Sequence, residues 1–194
     1  MKKIVTVCLL ALGFLAVPQQ VGAQGFLDKI NKGLSKVNKA LDKVVGEESY
    51  AGKGSFTQAN GVIVGNPIPG EAEIQLVGAY GTSKSTNYGD VTLVFKVKLL
   101  VPKSSISIGQ GKAKSAAFDE DGNTYQFAHS SLVGTYDCTE GMYVKVKHEY
   151  PILDVRKSAD KLQMIRVGLR TDWEHYGDLT LKNVPVEWDV AIPE

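Results

Sequence analysis

The residue types that carry most enzyme and metal chemistry are few in this chain and widely spaced. Its three histidines, His129, His148 and His175, lie too far apart to form the short-spaced pair typical of a zinc site. The 194 residues contain no Gly-x-Ser-x-Gly elbow, no phosphate-binding glycine loop and no cysteine–histidine signature. We therefore predict no catalytic residue, no metal and no cofactor, and we expect a protein that is not an enzyme.

Two further groups that could do chemistry have simpler structural interpretations. Asp119, Asp121 and Asn123 offer oxygen ligands for a cation, but the EF-hand pattern requires a glutamate at its twelfth position, which here is Ser130. Asp121-Gly122 between two apolar runs instead predicts a β-hairpin with a type I′ turn. Cys138 has no catalytic partner nearby, so we predict a partly buried structural thiol.

The segment that most resembles a binding site is Thr171–Asp178, with the sequence TDWEHYGD. Trp173, His175 and Tyr176 fall together on a predicted loop, and aromatic loop residues on a rigid β scaffold often hold ligands or partners. The alternative, which the sequence favours, is that Trp173 caps the open end of the core. We keep these three residues as a candidate ligand loop.

A seven-residue repeat over residues 28–48 predicts an amphipathic helix. Its apolar residues are spaced alternately by three and four positions, which is the spacing of a narrow helical seam. We predict that this seam serves self-association or docking of a partner protein, or packs on its own domain. Contact with a membrane surface is less favoured, because Phe26 at the start is the only aromatic residue of this segment. The seam residues are Leu27, Ile30, Leu34, Val37, Leu41 and Val44.

Residues 1–23 have the features of a secretory signal peptide. Lys2 and Lys3 precede an apolar stretch, and Val21-Gly22-Ala23 supplies small residues for cleavage near Ala23. Cys8 lies too early to be the lipidated cysteine of a lipoprotein. We therefore expect an exported protein, periplasmic or secreted, that is not a lipoprotein.

The charge balance excludes one class of partner. The full chain carries a formal charge of +1, and without residues 1–23 it has 20 basic and 21 acidic residues. Nucleic-acid binders carry a concentrated basic charge, so we predict no nucleic-acid partner. Residues 24–45 are net positive and residues 46–194 sum to −4, which suggests a separate role for the N-terminal segment.

The elements that would position these residues are β-strands. In Val91–Val101 every second residue is apolar, which predicts a long strand with one buried face and a second layer that covers it. Lys96 and Lys98 fall on its other face, toward solvent. Similar alternation predicts strands over residues 73–80, 113–118, 124–127, 142–150, 162–169 and 178–188, with a further short edge strand at 61–65.

The last predicted strand changes its apolar phase. Leu179 and Leu181 share one parity, whereas Val184, Val186 and Trp188 share the other. A slip of one residue predicts a β-bulge, and Pro185 predicts that this strand lies at a sheet edge.

A resemblance to a known family follows from the order of these segments. The runs VTLVFKVK, AAFDEDGNTYQF, EGMYVKVKHEYPILDVRKSADKLQMIRV and LTLKNVPVEW resemble extracellular immunoglobulin-like domains of unknown function in secreted bacterial proteins. The resemblance covers roughly residues 71–189 and implies a binding or envelope-associated role. The helical repeat and the lack of a lipid-anchoring cysteine depart from that pattern.

Together these observations predict an all-β protein, an antiparallel immunoglobulin-like sandwich of about seven strands preceded by a signal peptide and an amphipathic helix. The predicted organisation is a signal peptide (1–23), the helix (24–46), a Gly/Pro-containing linker (47–70) and the β domain (71–194). The predicted function is a non-enzymatic, exported interaction module. A carbohydrate- or ion-binding accessory module is the alternative, and an enzyme without a linear motif is the third.

Overall fold

The computed structural model describes residues 54–193 apart from Ser130, and in this range the chain is all-β, as predicted. It has twelve strands rather than about seven, and no described segment is a helix long and apolar enough to cross a membrane. The predicted signal peptide and amphipathic helix lie outside the described residues. The strands are β1 (Ser55–Thr57), β2 (Ile63–Gly65), β3 (Ala72–Ser83), β4 (Tyr88–Leu99), β5 (Ser105–Gly109), β6 (Ala116–Asp119), β7 (Thr124–Gln126), β8 (Val133–Asp137), β9 (Tyr143–Lys147), β10 (Ile152–Arg156), β11 (Lys161–Arg170) and β12 (Tyr176–Trp188).

The strands form two groups that share β12, an arrangement consistent with a β-sandwich. β3, β4, β9 and β10 form one group, and β11 joins β5, β6 and the first half of β12 in the other. Pairing among the described strands is antiparallel with one exception. Val186–Trp188 at the end of β12 run parallel to Ala79–Gly81 of β3, so the expectation of a purely antiparallel sheet is wrong at this one junction.

Strand β4 confirms the alternation read in Val91–Val101. Its inward residues are fully buried in a hydrophobic core to which both groups of strands contribute, whereas Lys96 and Lys98 on the other face are partly buried, and Lys98 is ion-paired with the buried Glu73. The strand ends at Leu99, two residues before the predicted end. The buried residues are Val91, Leu93, Phe95, Val97 and Leu99.

The phase change in β12 is real, but its cause differs from the prediction. The predicted β-bulge is absent from the pairing of β12 with β11, which keeps one register from Lys161↔Pro185 to Arg170↔Tyr176. The buried face of β11 changes phase at the same level as that of β12, so the two strands stay aligned. Asn183 takes a left-handed conformation there, with φ of 57°. Pro185 is not at a sheet edge. It lies where β12 leaves β2 and meets β3.

Part of the predicted linker contributes to the core. Residues 63–65 form β2 near the predicted edge strand, and this strand pairs with both β1 and β12. Phe56, Val62, Val64 and Ile68 are buried in the same hydrophobic cluster as the long strands. Their apolar side chains explain the ordering of a glycine-rich segment, because burial offsets the conformational entropy that the chain loses.

Candidate functional site

The candidate ligand loop joins β11 to β12 at one end of the sheet. Arg170 pairs with Tyr176, and the amide of Thr171 donates to the carbonyl of His175 at 3.1 Å, so residues 171–175 form a closed five-residue connection. Asp172 holds the turn from inside. Its Oδ1 accepts the backbone N–H groups of Glu174 at 2.9 Å and His175 at 2.6 Å. These bonds give the loop a defined shape.

Lys103 attaches this loop to two other segments of the chain. Its Nζ donates to Oε2 of Glu71 at 2.9 Å and to Oγ1 of Thr171 at 3.3 Å, and it also contacts the carboxylate of Asp172. The hydrogen bond from Lys103 and those from the backbone and ring of His175 hold the pKa of Asp172 far below its usual range. The two carboxylates in turn raise the pKa of Lys103, so all three groups stay charged at neutral pH.

His175 completes a ring of polar contacts. Its Nδ1 lies 3.0 Å from Oδ1 of Asp172, and its Nε2 lies 3.6 Å from Oε1 of Glu71. An Asp–His pair can activate a nucleophile, but here the outer ring nitrogen faces a carboxylate instead of a hydroxyl. The arrangement therefore braces the loop and gives no support for nucleophilic catalysis.

Trp173 projects from this braced loop into solvent. Its side chain is 80% exposed, so the prediction that it caps the open end of the core is wrong. The guanidinium of Arg170 stacks on one side of the indole, with Cζ 4.3 Å from the ring centroid. Tyr176 beside it is 44% exposed, and Nζ of Lys112 lies 5.0 Å from its ring. An exposed tryptophan in a pre-shaped loop is a feature of binding surfaces.

No protein-family model, curated protein or solved structure matches this chain.

The other two histidines lie away from this loop. His148 is buried against Phe127 and Tyr150, with its Nδ1 3.2 Å from the hydroxyl of Tyr136. Burial lowers the pKa of His148 to about 4. The ring of His129 packs edge-on against Tyr150, which also contacts His148. The three histidines do not meet, and across residues 54–193 as described no group of three metal-binding side chains forms a metal site.

The Asp119–Asn123 turn confirms the hairpin between β6 and β7 but not the type I′ turn. Gly122 has a φ of 84°, whereas Asp121 is not in the left-handed region, and five residues lie between Phe118 and Thr124, the last pair of the hairpin. Asp119 organises this loop, because its carboxylate accepts the amides of Asp121 and Asn123, the side chain of Asn123 and the hydroxyl of Tyr125 at 2.5 Å. A cation at Asp119 would have to displace these donors.

Cys138 is buried, as predicted, and burial raises the pKa of its thiol. A thiol in this state is a poor nucleophile, since the thiolate is the reactive form. Its role in the described structure is packing in the core.

Proposed function

We propose that this chain is an exported, non-enzymatic interaction module that uses the 171–176 loop as its contact surface. The observation that carries the proposal is the 80% exposure of Trp173 on a loop fixed by Asp172 and Lys103. A large aromatic side chain buries much apolar area when a ligand covers it, and a loop held in place loses little entropy on binding. Trp173 would be the anchor of the contact, and Tyr176 and His175 its neighbours.

Two features support binding over catalysis. The carboxylates of Glu71 and Asp172 are engaged by Lys103 and by the ring of His175, so these four side chains hold the loop and are not available as an acid or a base. The open groove beside the loop is lined mainly by short polar side chains and by Lys103 and Glu140, and it is not an enclosed pocket. Enclosed, largely apolar pockets are typical of small-molecule sites.

Three further parts of the proposal rest on the sequence pattern. We propose that the fold is immunoglobulin-like and that the segment 1–23 directs export. We also propose that the helix seam from Leu27 to Val44 serves self-association or partner docking. The described all-β structure is compatible with a β-sandwich, and residues 1–45 lie outside the described range.

A binding screen with matched variants tests the loop proposal. The mature protein, a Trp173→Ala variant and a Tyr88→Ala variant would be applied to an immobilised array of neutral and acidic glycans. Tyr88 is a suitable control because it is 42% exposed and lies on β4, outside the loop. We expect Trp173→Ala to lower the affinity for any ligand found by about tenfold or more, and Tyr88→Ala to leave it unchanged. Equal losses in both variants would contradict the proposal.

A further inference from the structure

The outer face of the β11–β12 hairpin continues directly from the aromatic loop. Opposite the buried residues Ile165, Val167 and Leu169, the side chains of Met164, Arg166 and Arg170 point away from the core. Gly168 between them is buried, because the backbone of residues 110–111 passes over it. The paired positions on β12 lie on the same face. In order of increasing distance from the loop, these pairs are Arg170↔Tyr176, Gly168↔Asp178, Arg166↔Thr180 and Met164↔Lys182.

Two more cations reach this face from the connection between β5 and β6. The amide of Lys112 donates to Oδ1 of Asp178 at 2.8 Å, which fixes Lys112 above the hairpin. The guanidinium of Arg166 donates to the carbonyl of Lys114 at 3.1 Å, which places that lysine alongside. Asp178 is the single carboxylate on the paired positions, and its oxygens accept backbone amides.

The five cations of this face are not neutralised. Within the described part of the chain none of them takes part in an ion pair, whereas some of the other cations, namely Lys84, Lys98, Lys103 and Lys157, are paired with a carboxylate. Residues 46–194 as a whole sum to −4, so a positive face stands out against a negative domain. This asymmetry favours an anionic partner. We call Lys112, Lys114, Arg166, Arg170 and Lys182 the basic face.

The basic face and the exposed aromatic residues adjoin at two contacts. Arg170 stacks on Trp173, and Lys112 lies over Tyr176. The aromatic rings offer apolar stacking area at one end, and the cations offer charge along the strands. A sugar ring with an apolar C–H face and an ionised substituent needs both features.

We propose that this surface binds an acidic polysaccharide along the β11–β12 hairpin, with a sugar ring on Trp173 and carboxylate or sulfate groups on the basic face. This inference rests on the proposed function and names its ligand class. Arg166 and Arg170 are four residues apart on one strand, about 13 Å at the usual rise. That spacing suits a chain with an anionic group on every second or third sugar. Guanidinium groups bind such anions with two parallel hydrogen bonds.

Two other anionic partners fit the surface less well. Single-stranded nucleic acid stacks successive bases on aromatic residues that lie between the cations, whereas Trp173 and Tyr176 lie at one end of this face. An anionic membrane favours a row of bulky apolar residues below the cations, and the positions here include Gly168, Asp178 and Thr180. Both partners are included as outcomes of the test.

The test measures affinity for defined probes with the full mature chain. The probes are polygalacturonate, dextran sulfate, neutral dextran, oligothymidylate and phosphatidylglycerol vesicles, each by titration calorimetry at low and physiological salt. The variants are Arg170→Gln/Lys112→Gln on the basic face, Trp173→Ala, and Arg156→Gln/Lys147→Gln as a control of equal charge change. Arg156 and Lys147 are exposed on β10 and β9, in the other group of strands.

We expect one or both acidic polysaccharides to bind in a salt-dependent manner, with neutral dextran, oligothymidylate and vesicles much weaker. The Arg170→Gln/Lys112→Gln variant should lose about tenfold or more in affinity, as should Trp173→Ala, while the control binds like the native chain. Binding of polygalacturonate or of dextran sulfate alone would identify the anionic group. Circular dichroism of each variant verifies the fold.

The remaining outcomes overturn the inference in distinguishable ways. Trp173-dependent binding to a neutral glycan, unaffected by the basic-face variant, would remove the acidic ligand class and leave the proposed function intact. Equal losses in the basic-face and control variants would show nonspecific charge attraction. Stronger binding to oligothymidylate or vesicles would replace the polysaccharide by that partner. No binding to any probe, here or on the glycan array, would overturn both proposals.

Discussion

The pH dependence of stability offers a quantitative prediction centred on His148. This side chain is 2% exposed, and burial lowers its pKa from the ordinary 6.5 to about 4. The hydroxyl of Tyr136 accepts the amide of Glu149 at 3.0 Å and lies 3.2 Å from Nδ1 of His148. The folded state therefore holds the neutral ring, because burial penalises the charged imidazolium.

The sign and size of the effect follow from these values. As pH falls below 6.5 the unfolded chain takes up a proton at this residue, whereas the folded chain does so only near pH 4. Each pH unit between the two values costs about 1.4 kcal/mol of unfolding free energy, or about 3 kcal/mol in total. Below pH 4 both states are protonated, and this loss does not grow further.

Urea unfolding at several pH values between 7 and 4 measures this loss, with His148→Asn as the matched variant. Asparagine keeps a hydrogen-bonding group near the position of Nδ1. Its smaller volume lowers stability, and because asparagine does not titrate, this loss is the same at every pH. Carboxylates with lowered pKa values, such as Asp119 and Asp189, contribute equally to both proteins and cancel in the difference. The native chain should lose about 2–3 kcal/mol more than the variant over this range. Parallel curves, or an NMR titration of His148 near its ordinary pKa, would refute the reasoning.

Three further predictions follow from the structure. Trp173→Ala should lower the unfolding free energy by about 1 kcal/mol or less, because 80% of the side chain is exposed. Urea unfolding measures this loss, and a loss of about 3–5 kcal/mol, as for a buried tryptophan, would show that the side chain caps the core. Tyr125→Phe should cost about 2 kcal/mol, since it removes one hydrogen bond to the ionised Asp119; an unchanged melting curve would contradict that role. Deletion of residues 24–45 should leave the far-ultraviolet spectrum of a β protein but change the oligomeric state or partner retention, and identical sedimentation with no lost partner would argue against the predicted seam.

The sequence predicts best what depends on local alternation. The long strand β4 follows from apolar residues at every second position over more than ten residues, and a pattern of that length is typical of a strand with one buried face. The serines and glycines around Ser105–Gly109 favour a loop, although Ile106 and Ile108 alternate and are buried in a strand. β10 escapes prediction because Asp154, with a φ of 51°, interrupts its alternation.

The candidate site can be predicted only in part, because its supports are distant in sequence. The aromatic residues of the loop are adjacent along the chain and can be recognised by type. Glu71 and Lys103 lie 101 and 69 residues before Asp172, and no local pattern indicates that they meet the loop, where Glu71 contacts Thr171 and Lys103 contacts Asp172. The exposure of Trp173 likewise depends on how the ends of several strands are arranged. The basic face shows a weaker signal, since Arg166 shares a parity with Arg170, the residue that follows the strand predicted at 162–169.

The most direct test of the central claim is to follow the two indole N–H resonances by NMR while a bound glycan is titrated in. Trp173 lies on the exposed loop, whereas Trp188 is half-buried and its Nε1 is enclosed. We predict that the Trp173 resonance shifts in a saturable way and that the Trp188 resonance does not move. Saturable binding that shifts Trp188 or neither indole would contradict the assignment of the 171–176 loop as the contact surface.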